Sequence, residues 1–258
     1  MLHQRITGQQ QHNDSSSDQI APYCLPRTPL ETLRVDIRRQ DISKYFVNLR
    51  ALIQDQKMRL PYAPTTAPSN DAATQDIYAR VAARRSPRPL QALDLTLLHA
   101  PAVADGWNGF LGAIRTRTSL PADVREVAIC RVAVLNGARY EWEHHAPLAR
   151  AAGVSDDGIR VLAGDAPGFL DGPEAHRGEG DAVAEALSPK LWAVVKYTDA
   201  MTRDVRVPDE VFEELRSCFG EQEVVEITAT VAAYNCVSRF LVALDVGERN
   251  ETAATTVQ

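Results

Sequence analysis

The sequence predicts an all-α helical bundle preceded by an N-terminal helical extension, and two observations predict it. From residue 72 onward apolar side chains recur at helical spacing in run after run. The runs are punctuated as helices are. Ser or Pro stands where a helix should begin, at Ser119, Pro121, Ser188-Pro189 and Pro208, and Gly stands where one should end, at Gly137, Gly153 and Gly220.

In chain order, residues 1–28 are rich in Gln, Ser, Asn and Asp and lack the apolar core of a signal peptide, so they read as a disordered tail. In 29–58, Leu33, Ile37, Phe46, Leu49, Leu52 and Ile53 fit one or two amphipathic helices that pack on the body or on a neighbouring subunit. The stretch LPYAPTTAPSND is a proline-rich connector into the main domain, 59–250, and 251–258 form a second tail. The domain opens with a helix over 72–84, a break at Ser86-Pro87-Arg88-Pro89, and two apolar helical runs separated by His99-Ala100-Pro101. His99 is a candidate pocket residue or a helix-end cap. Trp107, Phe110 and Leu111 read as core or pocket wall, with Gly109 and Gly112 permitting close helix contact. Residues 163–181 form an acidic, Gly- and Pro-containing loop suited to a lid or a subunit contact. A helix begins at Ser188-Pro189 and another at Pro208. The last, over 221–245, carries Asn235 on an apolar stripe, where an amide needs a partner. Asn235, Tyr234 and Arg239 are therefore site candidates or helix-packing groups.

Composition narrows the function classes. With 45% hydrophobic residues in 258, the chain can bury a sizeable core, and it has no run of about 18 uninterrupted apolar residues, so no membrane partner is expected. A net charge of −6, from 34 acidic and 28 basic residues with no basic stripe, argues against nucleic acid. Four scattered cysteines, Cys24, Cys130, Cys218 and Cys236, read as reduced thiols in a cytoplasmic compartment.

The chemistry concentrates in SLPADVREVAICRVAVLNGARYEWEHHAPLARAAG, residues 119–153. Its first helix, N-capped by Ser119 and stopped at Asn136-Gly137, is apolar over most of its circumference and so is buried on more than one side. Glu126 breaks that pattern. It shares a face with Ile129, Cys130 and Ala133, where loss of water raises a carboxyl pKa towards the range useful for proton transfer. In the second helix, from Arg139 to Gly153, Glu141, His145, Leu148 and Ala152 follow i, i+4, i+7 and i+11, which places carboxylate and imidazole one turn apart on one face. Pro147 removes an N–H from that helix just beyond His144 and His145. Tyr140, Trp142 and His144 crowd the same turns.

The segment LPADVREVAICRVAVLNGARYEWEHHAPLARAAGVS resembles the carboxymuconolactone decarboxylase and alkylhydroperoxidase-D (AhpD)-like superfamily, with the likeness running from about residue 59 to 246. The resemblance implies an AhpD-like helical bundle assembled into trimers or hexamers. In the peroxidase branch a glutamate precedes a Cys-x-x-Cys pair and a histidine lies four residues after the second cysteine. Here Glu126 matches the glutamate and His145 the histidine, but Ala138 and Glu141 stand at the cysteine positions. Without a thiolate to attack and a second thiol to resolve, dithiol peroxidase chemistry is excluded at this site. The Glu141 and His145 pair is similar to the decarboxylase branch.

The resemblance implies a cofactor-independent lyase that decarboxylates a β-keto or vinylogous lactone acid in specialised or aromatic metabolism. His145, Glu141 and Glu126 are the expected catalytic groups. Tyr140, Trp142, His144, Arg131, His99, Trp107, Asn235 and Arg239 are the expected substrate-binding set, with Arg131, Tyr140 or Arg239 holding the substrate anion. Isomerisation, dehydration or ring opening through the same enolate is the alternative, and a non-catalytic oligomeric binding module is a third reading. Imidazole and carboxylate are also compatible metal ligands, but no His-x-x-x-His spacing occurs, so no metal is expected.

Overall fold

The structure, a computed structural model, describes residues 59–68, 70–164, 169 and 186–248. The expected tails, the 29–58 extension, Cys24 and nearly all of the 163–181 loop lie outside these residues. Among the described residues every regular element is a helix. In chain order they are α1 (Ala72–Arg85), α2 (Ala92–Leu97), α3 (Pro101–Thr116), α4 (Ala122–Leu135), α5 (Arg139–Ala151), α6 (Asp156–Ala163), α7 (Pro189–Arg203), α8 (Asp209–Cys218) and α9 (Glu221–Leu244).

Helix α4 is the axis of the bundle. It packs against α5, α6, α7 and α9. Being enclosed on all these sides, it has no polar face: Val127, Ile129, Cys130, Val132 and Ala133 are fully buried. Each such aliphatic side chain contributes about 1.5–3 kcal/mol by leaving water. Its N-terminus departs from the expected cap. Ser119 does not cap the helix; Pro121 occupies that position, and the Ser119 amide and hydroxyl both donate to Glu226 Oε2, at 2.9 and 2.8 Å, tying the start of α4 to α9. The C-terminus stops as expected at Asn136-Gly137, with Gly137 at φ 65°. The Asn136 amide then donates to Asn235 Oδ1 and Ser238 Oγ on α9, at 3.0 and 2.7 Å.

A smaller cluster of Ala63, Tyr78, Val81, Leu97, Leu98 and Ala104 joins α1, α2 and α3 to the connector, and Leu93, Trp107 and Phe240 link it to the main core. The connector is clamped at several points. His99 Nε2 donates to the Pro61 carbonyl, Ala63 N–H to Leu95 O, and Arg59 to Ala243 O, while the Tyr62 hydroxyl accepts from Gly247 N–H and donates to Glu248. Gly109 and Gly112 do not serve close helix contact: a Cβ at Gly109 would meet nothing within 4 Å, and one at Gly112 would reach only Arg84 Cδ at 3.8 Å. Phe110, expected as wall or core, is half exposed. Helix α9 has the length and mean hydropathy, 1.4, of a membrane span. Its apolar face, with Ile227, Val231, Tyr234, Val237 and Leu241, is spent inside the bundle, as in the core helix of any large helical domain.

Candidate active site

Two adjacent helices deliver the acid and base groups. Packing of α4 on α5 sets Glu126 against His145, with Oε2 and Nδ1 2.6 Å apart and the two residues 3% and 5% exposed. Burial raises the Glu126 pKa, but the hydrogen bond from His145 and the nearby Arg115 and Arg125 charges outweigh it and hold the carboxyl below its ordinary value. Burial depresses the His145 pKa more than Glu126 raises it. The pair is therefore an ionised carboxylate accepting from the Nδ1–H of a neutral imidazole. That tautomer leaves Nε2 as an unprotonated base, and Nε2 makes no hydrogen bond among the described residues. Arg125 adds a longer contact to the other Glu126 oxygen, 3.4 Å.

Glu141 lies one turn before His145 on the same face of α5, as the spacing predicted. Its carboxyl is buried, and neither oxygen has a hydrogen-bond partner among the described residues. With nothing to solvate an anion, burial drives its pKa far up, so it is a neutral carboxylic acid at ordinary pH. Two carboxyls on neighbouring helices thus take opposite protonation states, one beside an imidazole and one alone.

Glu141 and His145 border a solvent-open cleft with a cavity volume of about 90 Å³. Glu141, His145, Tyr140, His144 and Trp107 line it. Tyr140 and His144 stack at 4.3 Å between ring centroids, and His144 Nδ1 donates to the Tyr140 carbonyl. A Cβ at Gly247, where φ is 80°, would overlap the Tyr140 ring, so this wall requires glycine there. Tyr234, 2% exposed, meets His145 edge-on with ring centroids 5.0 Å apart.

Several expected binding residues lie elsewhere, each for a visible reason. Arg131 faces away, in a two-pronged ion pair with Asp199 at 2.5 and 2.6 Å, and donates to Leu162 O. Asn235 is a packing hub: it accepts from Asn136 and donates to Thr202 and Val231 O. Arg239 is exposed and bonded back to Asn235. His99 holds the connector, and Trp142 packs edge-on against Phe169, 5.7 Å between centroids, outside the cleft.

The cleft instead recruits Arg84, Arg85, Arg88 and Arg115, which the sequence analysis did not single out. Arg85 is consumed by a double hydrogen bond to the buried Asp94, 2.7 Å on each arm, and Arg84 by Asn108 and Asp94. Arg88 is exposed at the rim. Arg115 is half buried and forms no hydrogen bond or ion pair among the described residues. Its position was readable in principle, since Trp107, Leu111 and Arg115 fall at i, i+4 and i+8 on α3. A cation near a helix C-terminus, however, reads by default as a solvated end.

The described residues form an all-α bundle in which two helices adjacent in sequence hold a buried Glu–His pair. Residues 101–177, which contain Glu126, Glu141 and His145, match the carboxymuconolactone decarboxylase family. Among solved structures, the AhpD-core, uncharacterized peroxidase-related protein of Ralstonia eutropha JMP134 is similar over 76% of this chain and 94% of its own, with TM-score 0.55 and 17% identity. An uncharacterized peroxidase-related protein from Silicibacter sp. TM1040 covers 77% and 95%, with TM-score 0.54 and 15% identity. The debrominase Bmp8 covers 78% and 95%, with TM-score 0.52 and 16% identity. At these identities the likeness is one of fold. No curated protein matches the chain in sequence. Family match and fold together support the carboxymuconolactone decarboxylase and AhpD-like superfamily recognised in the sequence.

Proposed function

We propose that the protein is an acid/base enzyme of the carboxy-lyase type, removing CO2 from a small β-keto or vinylogous acid. The observation that carries this reading is the pairing, on one cleft, of a buried carboxyl without hydrogen-bond partners among the described residues, Glu141, with an imidazole oriented by Glu126, His145. Decarboxylation breaks a carbon–carbon bond, releases uncharged CO2 and leaves the bonding electron pair as an enolate. That enolate must be stabilised and then protonated at carbon. Glu141 holds the proton for that step, and His145, one turn away, is placed to relay its replacement from solvent. The cleft's mixed apolar lining favours the charge-dispersed enolate over the compact carboxylate. A thiol route finds no support, because no cysteine lines the cleft among the described residues and Cys130 is sealed in α4 with burial pushing its pKa well up. Because the fold also occurs in a debrominase, fold alone does not choose the reaction.

The test compares small molecules, by mass spectrometry, from source cells carrying the intact gene, Glu141→Gln or His145→Gln. Accumulation of a species one CO2 heavier than the normal product supports decarboxylation. An isomer or hydrate accumulating instead would keep the acid/base site and overturn the lyase reading, and no change at all would favour a non-catalytic binding module.

A further inference from the structure

Within the cleft the cations are unequal. Arg84 and Arg85 are already neutralised or hydrogen-bonded, whereas the half-buried Arg115 guanidinium has no partner among the described residues. Arg115 lines the same cleft as Glu141, His145 and Tyr234, near enough for its charge to act on Glu126, His145 and Tyr234. Tyr234 is buried, lines the same cavity, and its hydroxyl makes no hydrogen bond among the described residues. A guanidinium and a phenol on one cleft are thus hydrogen-bond donors that the described residues leave free for a ligand's acceptor.

Resting on the acid/base reading above, we infer that Arg115 and the Tyr234 hydroxyl form an oxyanion-binding corner for the substrate's carbonyl oxygen. The substrate is accordingly a carbonyl compound with an unsaturated or aromatic body, its flat apolar part against Trp107, Leu111, Val237 and Leu241. The choice of carbonyl oxygen over leaving carboxylate follows from charge flow. A guanidinium bound to the carboxylate would stabilise the ground state and lose its partner as CO2 departs, raising the barrier. The same guanidinium on the carbonyl oxygen gains strength as the enolate forms. Atoms balance with no further reagent: the electron pair of the broken bond moves onto the oxygen at the Arg115 corner, then returns to carbon as that carbon takes the proton.

The test needs no knowledge of the natural substrate. 4-Nitrophenol is a flat aromatic whose conjugated phenolate mimics an enolate and absorbs visible light, so a titration with the full chain reads which form is bound. Wild type is expected to bind the phenolate in preference to the phenol. Arg115→Gln is expected to lose phenolate affinity by about tenfold or more, Arg115→Lys to retain part of it, and Tyr234→Phe to lose less. Nitrobenzene, which has the shape without the charge, should bind all four proteins alike. Arg115 leaves no hydrogen-bond partner stranded among the described residues when removed, and matching thermal melts verify that the variants fold. Equal phenolate affinity in wild type and Arg115→Gln, or a wild type that prefers the phenol or binds neither form, would overturn the inference. The two readings fail separately: a phenolate preference lost in Arg115→Gln stands even if the Glu141 and His145 variants leave cellular chemistry unchanged.

Discussion

Glu141 is an unusual expense for a protein to carry. An enclosed carboxyl without a hydrogen bond destabilises the fold, and more so whenever it ionises. The sign follows from its raised pKa. As pH climbs above the ordinary value of 4.5, the unfolded chain releases a proton that the folded protein retains. Stability is thus full below that value and is lost as pH rises towards the folded-state pKa. Glu141→Gln keeps shape and neutrality without this slope. Urea denaturation at about pH 5 and about pH 8 should show the variant gaining on wild type with pH, by up to about 1.4 kcal/mol per unit, while activity falls sharply. A constant difference across that range would mean Glu141 is ionised after all. His145 contributes with the opposite slope: its depressed pKa gives stability that is present above 6.5 and is lost as pH falls through the folded-state value. His145→Ala would strand the buried Glu126 charge, and a loss of about 3 kcal/mol is expected in the same measurement. This is why the gentler His145→Gln serves the activity test.

The helix pair α4–α5 was legible almost in full, because the groups that define it act locally. Gly137 at positive φ stops α4, and the i, i+4 relation of Glu141 and His145 survives intact. Glu126 was legible as a buried acid from its apolar face. That His145 rather than Glu141 meets it depends on how α4 lies on α5, which no local pattern encodes. The same limit explains Ser119, a sound N-cap by sequence whose donors go to Glu226 across 107 positions, and Arg131, whose partner Asp199 is 68 positions away. Long-range partners also carry the turn between the two site helices. Asn136→Ala removes both side-chain bonds to α9, though Arg239 still donates to the Asn235 side-chain oxygen, so about 1–3 kcal/mol of stability should go, with thermal melting as the readout. Gly247→Ala combines a strained φ with overlap of the Tyr140 ring; a cost of about 1–3 kcal/mol is expected. It should also weaken binding of aromatic probes, because Tyr140 must move from the cleft wall. A variant as stable as wild type would show that this turn can re-form elsewhere.

At the scale of the whole molecule, two electrostatic fields of opposite sign meet an incoming anion. The chain carries a formal net charge of −6, yet the cleft presents Arg115 within and Arg88 at its rim. The repulsion comes from charges spread over the whole surface and is felt at long range, whereas the attraction is confined to the mouth. Screening separates them: the Debye length is about 30 Å at 0.01 M salt and about 8 Å at 0.15 M. Added salt therefore removes the repulsion first. The association rate of an anionic ligand, measured by stopped flow, should rise between those concentrations and fall only at still higher ionic strength, the reverse of the usual monotonic decline for an anion entering a basic site. Capture speed in such a protein is set to peak near the ionic strength of a cell rather than in dilute buffer.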